Sequence, residues 1–445
     1  MREDKFKETE IGMIPEDWDV FILKELLGEK GYIRGPFGSA LRRPELKDKG
    51  IPVYEQEHAI YNSRKFRYFI DDDKFKELYR FEVKENDLII SCSGTLGKVS
   101  IISKDDPKGI ISQALLLLRP NINKIRPLFL KYFFDSPVGF HSLVSRSTGS
   151  VQVNLAKREI IQEIRIAVPQ LNEQEVITKF LSDIYDKIAL NRSMNSTLEA
   201  IGQALFKHWF VDFEFPDGEG KPYRSSGGEM VETELGKVPK GWRVGTFADL
   251  AEINKGDIVD GPFGSNLKSS DYTDFGVRLI HQENIKEFNF IDEKQRYTSF
   301  EKAAELKRSV AFPGDIVMTK MPEPITRAAR VPHNISKEFI IMADCIRVRP
   351  GHDTPGGYLL YLINSTSFRQ QAEGLATGTT RSRINLTQVK SIKIVIPSKT
   401  CRKAFGIFSE SLESLREKNS YEISIISAIR DALLPKLMSG EIKVK

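Results

Sequence analysis

A long-period repeat constrains this chain more than any local pattern, because a unit that occurs twice dictates the architecture before single propensities are weighed. Glu8-Thr9-Glu10-Ile11-Gly12-Met13-Ile14-Pro15-Glu16-Asp17-Trp18 returns as Glu232-Thr233-Glu234-Leu235-Gly236-Lys237-Val238-Pro239-Lys240-Gly241-Trp242, with Glu, Thr, Glu, Gly, Pro and Trp in one register. Gly35-Pro36-Phe37-Gly38-Ser39 with Leu41 returns as Gly261-Pro262-Phe263-Gly264-Ser265 with Leu267, and Gln56-Glu57 returns as Gln282-Glu283. Further on, Asp87 to Ser91 matches Asp315 to Thr319, and Leu118-Arg119-Pro120 matches Val348-Arg349-Pro350. Thr148-Gly149 and Asn154-Leu155 match Thr377-Gly378 and Asn385-Leu386, and Ile164 to Pro169 matches Ile392 to Pro397. Order and spacing persist throughout, so the 445 residues form a tandem duplication whose copies are each large enough to bury a core.

Within a copy, short apolar alternations are broken by Gly, Pro, Asn and Asp. Val83 to Ser91, Ile110 to Leu118 and Ile164 to Val168 read as strands, as do Val310 to Thr319 and Ile340 to Val348, while Pro127 to Phe134 and Tyr358 to Ile363 read as helices. The expected class is α+β, built mainly on short strands. After each copy the period changes. Leu171, Ile177, Leu181, Ile184, Ile188, Leu198 and Leu205 follow the three/four spacing of a coiled-coil seam, interrupted at Asn191, Asn195 and Gly202. Phe405, Phe408, Leu412, Leu415, Ile426, Ile429 and Leu433 do likewise, interrupted at Asn419 and Glu422. At about 1.5 Å per residue, roughly 38 residues make a rod on the order of 55 Å, and two such helices should pack on each other.

These patterns divide the chain into a first domain at 1–170, a helical spacer at 171–215, a linker at 216–235, a second domain at 236–398 and a C-terminal helical spacer at 399–445, a pseudo-twofold repeat. Phe206, Trp209, Phe210, Phe213 and Phe215 crowd the end of the first spacer and must be buried, against the domain or by a partner protein.

No catalytic motif accompanies this architecture. Ser91 to Val99 misses the phosphate-loop pattern at both ends, since Cys92 stands where its first glycine belongs and Val99 where its hydroxyl belongs. The histidines His58, His141, His208, His281, His333 and His352 have no metal-ligand spacing, and Cys92, Cys345 and Cys401 stand too far apart for a zinc or redox motif. The charged opening and the lack of a long apolar run point to the cytoplasm. The net charge of +5 admits a polyanionic partner, and Arg381 to Lys403 carries seven cations with no acid between them. A recognition protein accounts for all this more simply than an enzyme with a diverged site or a scaffold that reads nothing.

Taken together, the Ile14 to Trp18 and Val238 to Trp242 openings, the Thr148 to Pro169 loop and strand, and Leu171-Asn172-Glu173-Gln174-Glu175 resemble the specificity subunit of type I restriction-modification systems. The second copy has Ser398 to Arg402 where the Glu-Gln pair is expected. The resemblance implies two target-recognition domains, each reading half of a bipartite DNA target, separated by two antiparallel helices that fix the gap. It also implies two methyltransferase subunits that hold S-adenosylmethionine and perform the chemistry, joined where present by restriction subunits, with no cofactor or metal on this chain. Gln174 and the aromatic group of Phe206, Trp209, Phe210 and Phe213 are the expected partner contacts.

Base reading needs paired donors and acceptors on loops that enter the major groove, and phosphate contact needs cations and free N–H groups. In the first copy those residues are Arg34, Ser39, Arg42, Arg43, Gln56, Lys98, Arg146, Ser147, Ser150, Gln152 and Lys157. In the second they are Lys255, Ser265, Asn266, Lys268, His281, Gln282, Asn284, Lys320, Arg327, Thr379, Thr380, Arg381, Arg383 and Asn385. The Gly-Pro-Phe-Gly-Ser segments are either DNA-contacting loops or turns with Phe packed inward.

Overall fold

The computed structural model describes residues 5–37, 40–146, 153–321, 324–378 and 382–444. The chain divides into two compact units, Met1–Ala189 with Ser424–Lys445, and Leu190–Ile423. Each unit holds one copy of the repeat, in the mixed strand-and-helix class expected. The boundaries differ from the sequence division, because the long helices Leu171–Phe210 and Lys399–Ser439 each contribute residues to both units instead of standing apart as spacers.

Each copy opens on a hairpin, Phe6–Thr9 with Gly12–Pro15 and Met230–Thr233 with Gly236–Pro239. Gly12 and Gly236 turn the chain at φ +105° and +94°, where a Cβ is strained. The Thr9 and Thr233 hydroxyls donate to the carbonyls of those glycines at 2.7 and 2.6 Å. The repeated Glu-Thr-Glu-x-Gly string is therefore a turn signal, and it ends the linker before Met230 rather than at 235. Behind the hairpins, Trp18 is fully buried against Phe129 and donates to Glu173 at 3.2 Å. Trp242 stacks on Phe215 and meets Phe210 and Phe213. The strand after each hairpin then pairs with the last strand of its copy, Asp19–Ile22 with Arg165–Val168 and Arg243–Thr246 with Lys393–Ile396, which closes the module.

At the centre of each unit lies a four-stranded antiparallel sheet. Its strand order is Leu27–Arg34, Leu115–Pro120, Leu88–Ser91, Val99–Ile101 in the first unit, and Ile258–Asp260, Cys345–Val348, Ile316–Thr319, Ala328–Arg330 in the second. A second sheet, of three strands in the first unit and five in the second, holds Ile51–Tyr54 beside Ile110–Ile111 and Val277–Ile280 beside Phe339–Ile341, both as parallel pairs. The runs Ile110 to Leu118 and Ile340 to Val348, expected as single strands, thus break and change sheets at 112–114 and 342–344. The break leaves its mark in sequence. A Cβ on Gly35 would sit 1.9 Å from the Ser112 carbonyl oxygen, and one on Gly261 would sit 2.1 Å from that of Met342, so only glycine fits beside the switch.

Both faces of the central sheet are buried. In the first unit Leu116 and Leu118 face a core with Trp18, Phe129 and Ile166, while Leu115 and Leu117 face a second core with Val53, Tyr54 and Phe81. At its rim the fully buried Asp87 takes two bonds of 2.7 Å from Arg119. Asp315 takes bonds of 3.1 and 2.9 Å from Arg349 in the same place. The repeat had preserved an ion pair.

The helices pack within each unit. In the first, Ile177 and Leu181 share a core with Leu434, Leu437 and Met438. In the second, Asn191 donates to Glu422 at 2.8 Å, Asn195 donates to Ser420 at 3.0 Å and accepts from Asn419 at 2.9 Å, and Glu199 takes Arg416 at 2.8 Å. Partner numbers fall as helix numbers rise, so the helices run antiparallel there, and the seam asparagines are paired with each other and with polar neighbours. Gly202 has a different reason: a Cβ would lie 1.9 Å from the Tyr361 hydroxyl. Among the described residues no helix is long and apolar enough to cross a membrane.

Candidate nucleic-acid interface

In the first unit the structure gathers several expected residues at one end of the central sheet. The Arg34 guanidinium lies 2.9 Å from the Cys92 sulfur and 6.0 Å from the Phe37 ring centroid. Gln56, at the start of helix Gln56–Tyr61, accepts from the Ser93 amide at 2.8 Å and its hydroxyl at 2.7 Å, which fastens that helix to the turn carrying exposed Lys98. Nearby, Arg158 covers the Tyr32 ring at 4.9 Å. Burial, opposed by Arg34, raises the Cys92 thiol to about 11, and burial raises the Tyr32 hydroxyl to about 12, so both are neutral at physiological pH. Arg42 and Arg43 are exposed at the short turn Arg43–Glu45, and Lys157 is exposed at the start of helix Arg158–Gln162. Arg146 ends the strand Val144–Arg146, paired to Val153–Leu155. Ser39, Ser147, Ser150 and Gln152 lie outside the described residues.

The corresponding end of the second unit has exposed Ser265, Asn266 and Lys268. Lys255 is exposed as well, but it precedes the strand Ile258–Asp260 and so lies at the opposite end, beside the Asp315–Arg349 pair. The cation at the corresponding end sits differently. Lys320 follows the strand where the first unit has Cys92, and its ammonium is 3.7 Å from Asp260, which replaces Arg34. His281 meets Arg296 at 2.9 Å, and burial together with that arginine lowers its ring to about 4, leaving it neutral. Gln282, with Glu283, Lys286, Glu293, Lys294 and Arg327, lines an open pocket of about 290 Å³. Arg383 is 44% exposed and paired with Asp344 at 2.9 Å. Thr379, Thr380 and Arg381 lie outside the described residues.

Some expectations need correcting. Asn284 is buried, accepting from the His281 amide and donating to the Ile291 and Glu293 carbonyls at 2.9 Å each, so it holds a turn together and offers nothing to a base. Arg327 is buried too, donating to the Ile285 carbonyl at 2.7 Å and the Gln282 carbonyl at 3.0 Å. Lys320 is 3% exposed, which removes it from direct phosphate contact. Asn385 caps helix Leu386–Ser391. Gln174 is fully buried, bonded to the Arg126 amide and to the Lys124 and Pro169 carbonyls, so the Glu-Gln pair seals a helix start instead of meeting a partner. Phe206 and Phe210 are buried with Tyr358, Tyr361 and Phe405, and Trp209 and Phe213 pack on the same core. What the sequence missed is the set of apolar side chains that the helices leave open in each unit. Val176, Phe180, Met194, Phe408, Leu415 and Ile429 are each 37–46% exposed, a signal present in the seam residues Phe408, Leu415 and Ile429, which the inner seam does not bury.

Residues 15–200 match the family model of the type I restriction modification DNA specificity domain. The type I restriction enzyme MjaIX specificity subunit of Methanocaldococcus jannaschii is 26% identical over 460 residues, covering 100% of this chain and 98% of that protein. The chain is similar along its whole length to type I specificity subunits. A second relative, the HindI specificity subunit of Haemophilus influenzae, is 26% identical across 78% of this chain and 84% of its own length. The crystal structure of the type I restriction-modification S subunit from M. genitalium shares the fold, with a TM-score of 0.54 and 14% identity, covering 95% of this chain and 96% of that one. The family model stops within the central helix, so the likeness of the second copy rests on the internal repeat and on relatives that span the whole chain.

Proposed function

We propose that the chain is the DNA-reading, non-catalytic subunit of a type I restriction-modification assembly. Each unit reads one half of a bipartite target. Partner methyltransferase subunits, two per chain and carrying S-adenosylmethionine, dock on the long helices, with restriction subunits joining where present. One observation carries this reading: the two units keep a common frame, down to the Asp87–Arg119 and Asp315–Arg349 pairs, yet differ at the sheet end, where Arg34 and Cys92 stand against Asp260 and Lys320. A frame held constant around altered loops is what two different half-sites require.

The exposed cations Arg42, Arg43, Lys98 and Lys157, with Lys268, supply phosphate contacts, and Gln56 and Gln282 stand closest to base-reading positions. Exposed helix residues supply the partner docks in place of the buried aromatic group, Val176, Phe180 and Ile429 in the first unit and Met194, Phe408 and Leu415 in the second. A complex of this kind works in the cytoplasm, on chromosomal DNA. Methylome sequencing of cells expressing the chain with its methyltransferase tests the proposal. Exchange of residues 15–170 for those of another specificity subunit should change one half of the methylated motif. A change in both halves or in neither would refute the modular reading. Methylation or cleavage by the isolated chain would favour an enzyme.

A further inference from the structure

Phe37 and Phe263 stand at the same place in the two copies, just beyond the glycine that admits the sheet switch, and neither packs inward. They are 63% and 65% exposed. Leaving one large ring in water is common, but keeping it in both copies of a diverged repeat, on a segment anchored by backbone packing at Gly35 and Gly261, points to something that covers it. The charge behind each ring narrows the choice. Arg34 lies 6.0 Å from the Phe37 centroid, and the Lys320 ammonium lies 5.9 Å from that of Phe263. These cations come from different strands, since Lys320 occupies the Cys92 position and Asp260 the Arg34 position. Ring and cation have stayed together although the residue bearing the charge has changed. An exposed ring backed by positive charge suits a polyanion with flat apolar faces.

We propose that Phe37 and Phe263 are apolar wedges, each pressed against a base step of the half-site read by its own unit, with Arg34 or Lys320 held behind the ring. The inference rests on the DNA-reading function above and adds the residue that would deform or grip the duplex there. Base–aromatic contact is lost on truncation to alanine with a penalty that corresponds to roughly 5- to 100-fold in affinity. A wedge releases no counterions, so it leaves the salt dependence alone.

The test uses the full chain with its methyltransferase subunits and the duplex motif found by methylome sequencing. Phe37→Ala and Phe263→Ala should each weaken binding by about 5- to 100-fold, with an unchanged slope of log Kd against log salt and an unchanged melting temperature. Phe37→Trp should retain binding. Permutation of one half-site should abolish the effect of one variant and spare the other. Affinities within twofold of wild type, a flatter salt slope, or loss of methyltransferase co-elution in place of DNA affinity would each overturn the proposal. A wild-type complex that binds motif and scrambled duplex alike would remove the recognition function itself, and the wedge with it.

Discussion

Replacing Arg416 with methionine would leave two carboxylates facing each other inside the second unit. Its guanidinium is 4% exposed and donates to both Glu413 oxygens at 2.9 and 2.8 Å, to Glu199 at 2.8 Å and to Asn289 at 2.9 Å. Tyr361 donates to Glu413 at 3.0 Å, so one knot ties the two helices to each other and to the globular module. Removing one partner from a buried ion pair costs about 3–5 kcal/mol, because the remaining charge stays desolvated. At about 2–4 °C per kcal/mol for a unit of this size, the second unit should melt about 6–20 °C lower. The effect should depend on pH. Burial already holds the Glu199 carboxyl above its ordinary range, with Arg416 opposing it. Without Arg416 the carboxyl rises further. A carboxyl whose folded pKa exceeds its unfolded value holds its proton more tightly when folded, so stability falls as pH rises through that window and returns as pH drops. Calorimetry should therefore show the widest gap between wild type and Arg416→Met near pH 8 and a narrower one near pH 5. Adding Glu413→Gln and Glu199→Gln should recover most of the loss. A drop under about 1 kcal/mol, or a triple variant as weak as the single one, would refute the knot as a charge-balanced unit.

Gly35→Ala and Gly261→Ala should each destabilise their own unit by about 1–3 kcal/mol through backbone overlap at the sheet switch, read as a shift of one denaturant midpoint and not the other. Asp87→Ala strands Arg119, 28% exposed at its side chain, beside a buried cavity and should destabilise the first unit by about 2–4 kcal/mol in the same assay. Because the His281 ring is held at about 4 against an ordinary 6.5, the unfolded chain takes up its proton first, and stability should fall as pH drops from 6.5 towards 4. His281→Gln should flatten that limb in denaturation curves taken at stepped pH. Phe180→Glu should abolish co-elution with the methyltransferase while leaving the melting temperature within about 1 °C of wild type, since surface changes rarely shift stability.

The architecture was legible because duplication prints its own frame: the opening hairpin, the Asp–Arg pairs and the closing strands all recur by sequence alone. The long helices were legible from their seam, although Pro435 lies inside the second, beyond the seam's last predicted leucine. Strand breaks were not, because Ile110 to Leu118 is apolar throughout and a buried run does not announce where it changes sheet. Polar residues misled for a related reason. Asn284, Arg327 and Gln174 look like recognition residues in sequence, but each satisfies backbone groups that burial would otherwise leave unpaired. Conversely Phe37 and Phe263, for which the sequence left a DNA-contacting loop and an inward-packed turn equally open, lie exposed to solvent.

The paired Asp and Arg also solve a problem of address. Leu115, Leu116, Leu117 and Leu118 are all fully buried, so slipping that strand by one residue would still place leucine against apolar surface on both sides. Oil alone cannot tell one alignment from the next. Arg119 can, because only one alignment brings its fork to both oxygens of Asp87, and Arg349 does the same for Cys345–Val348 through Asp315. The pair acts as a pin through a ladder whose rungs are otherwise interchangeable. With the ladder pinned, the loops at its far end are free to diverge without the sheet losing count.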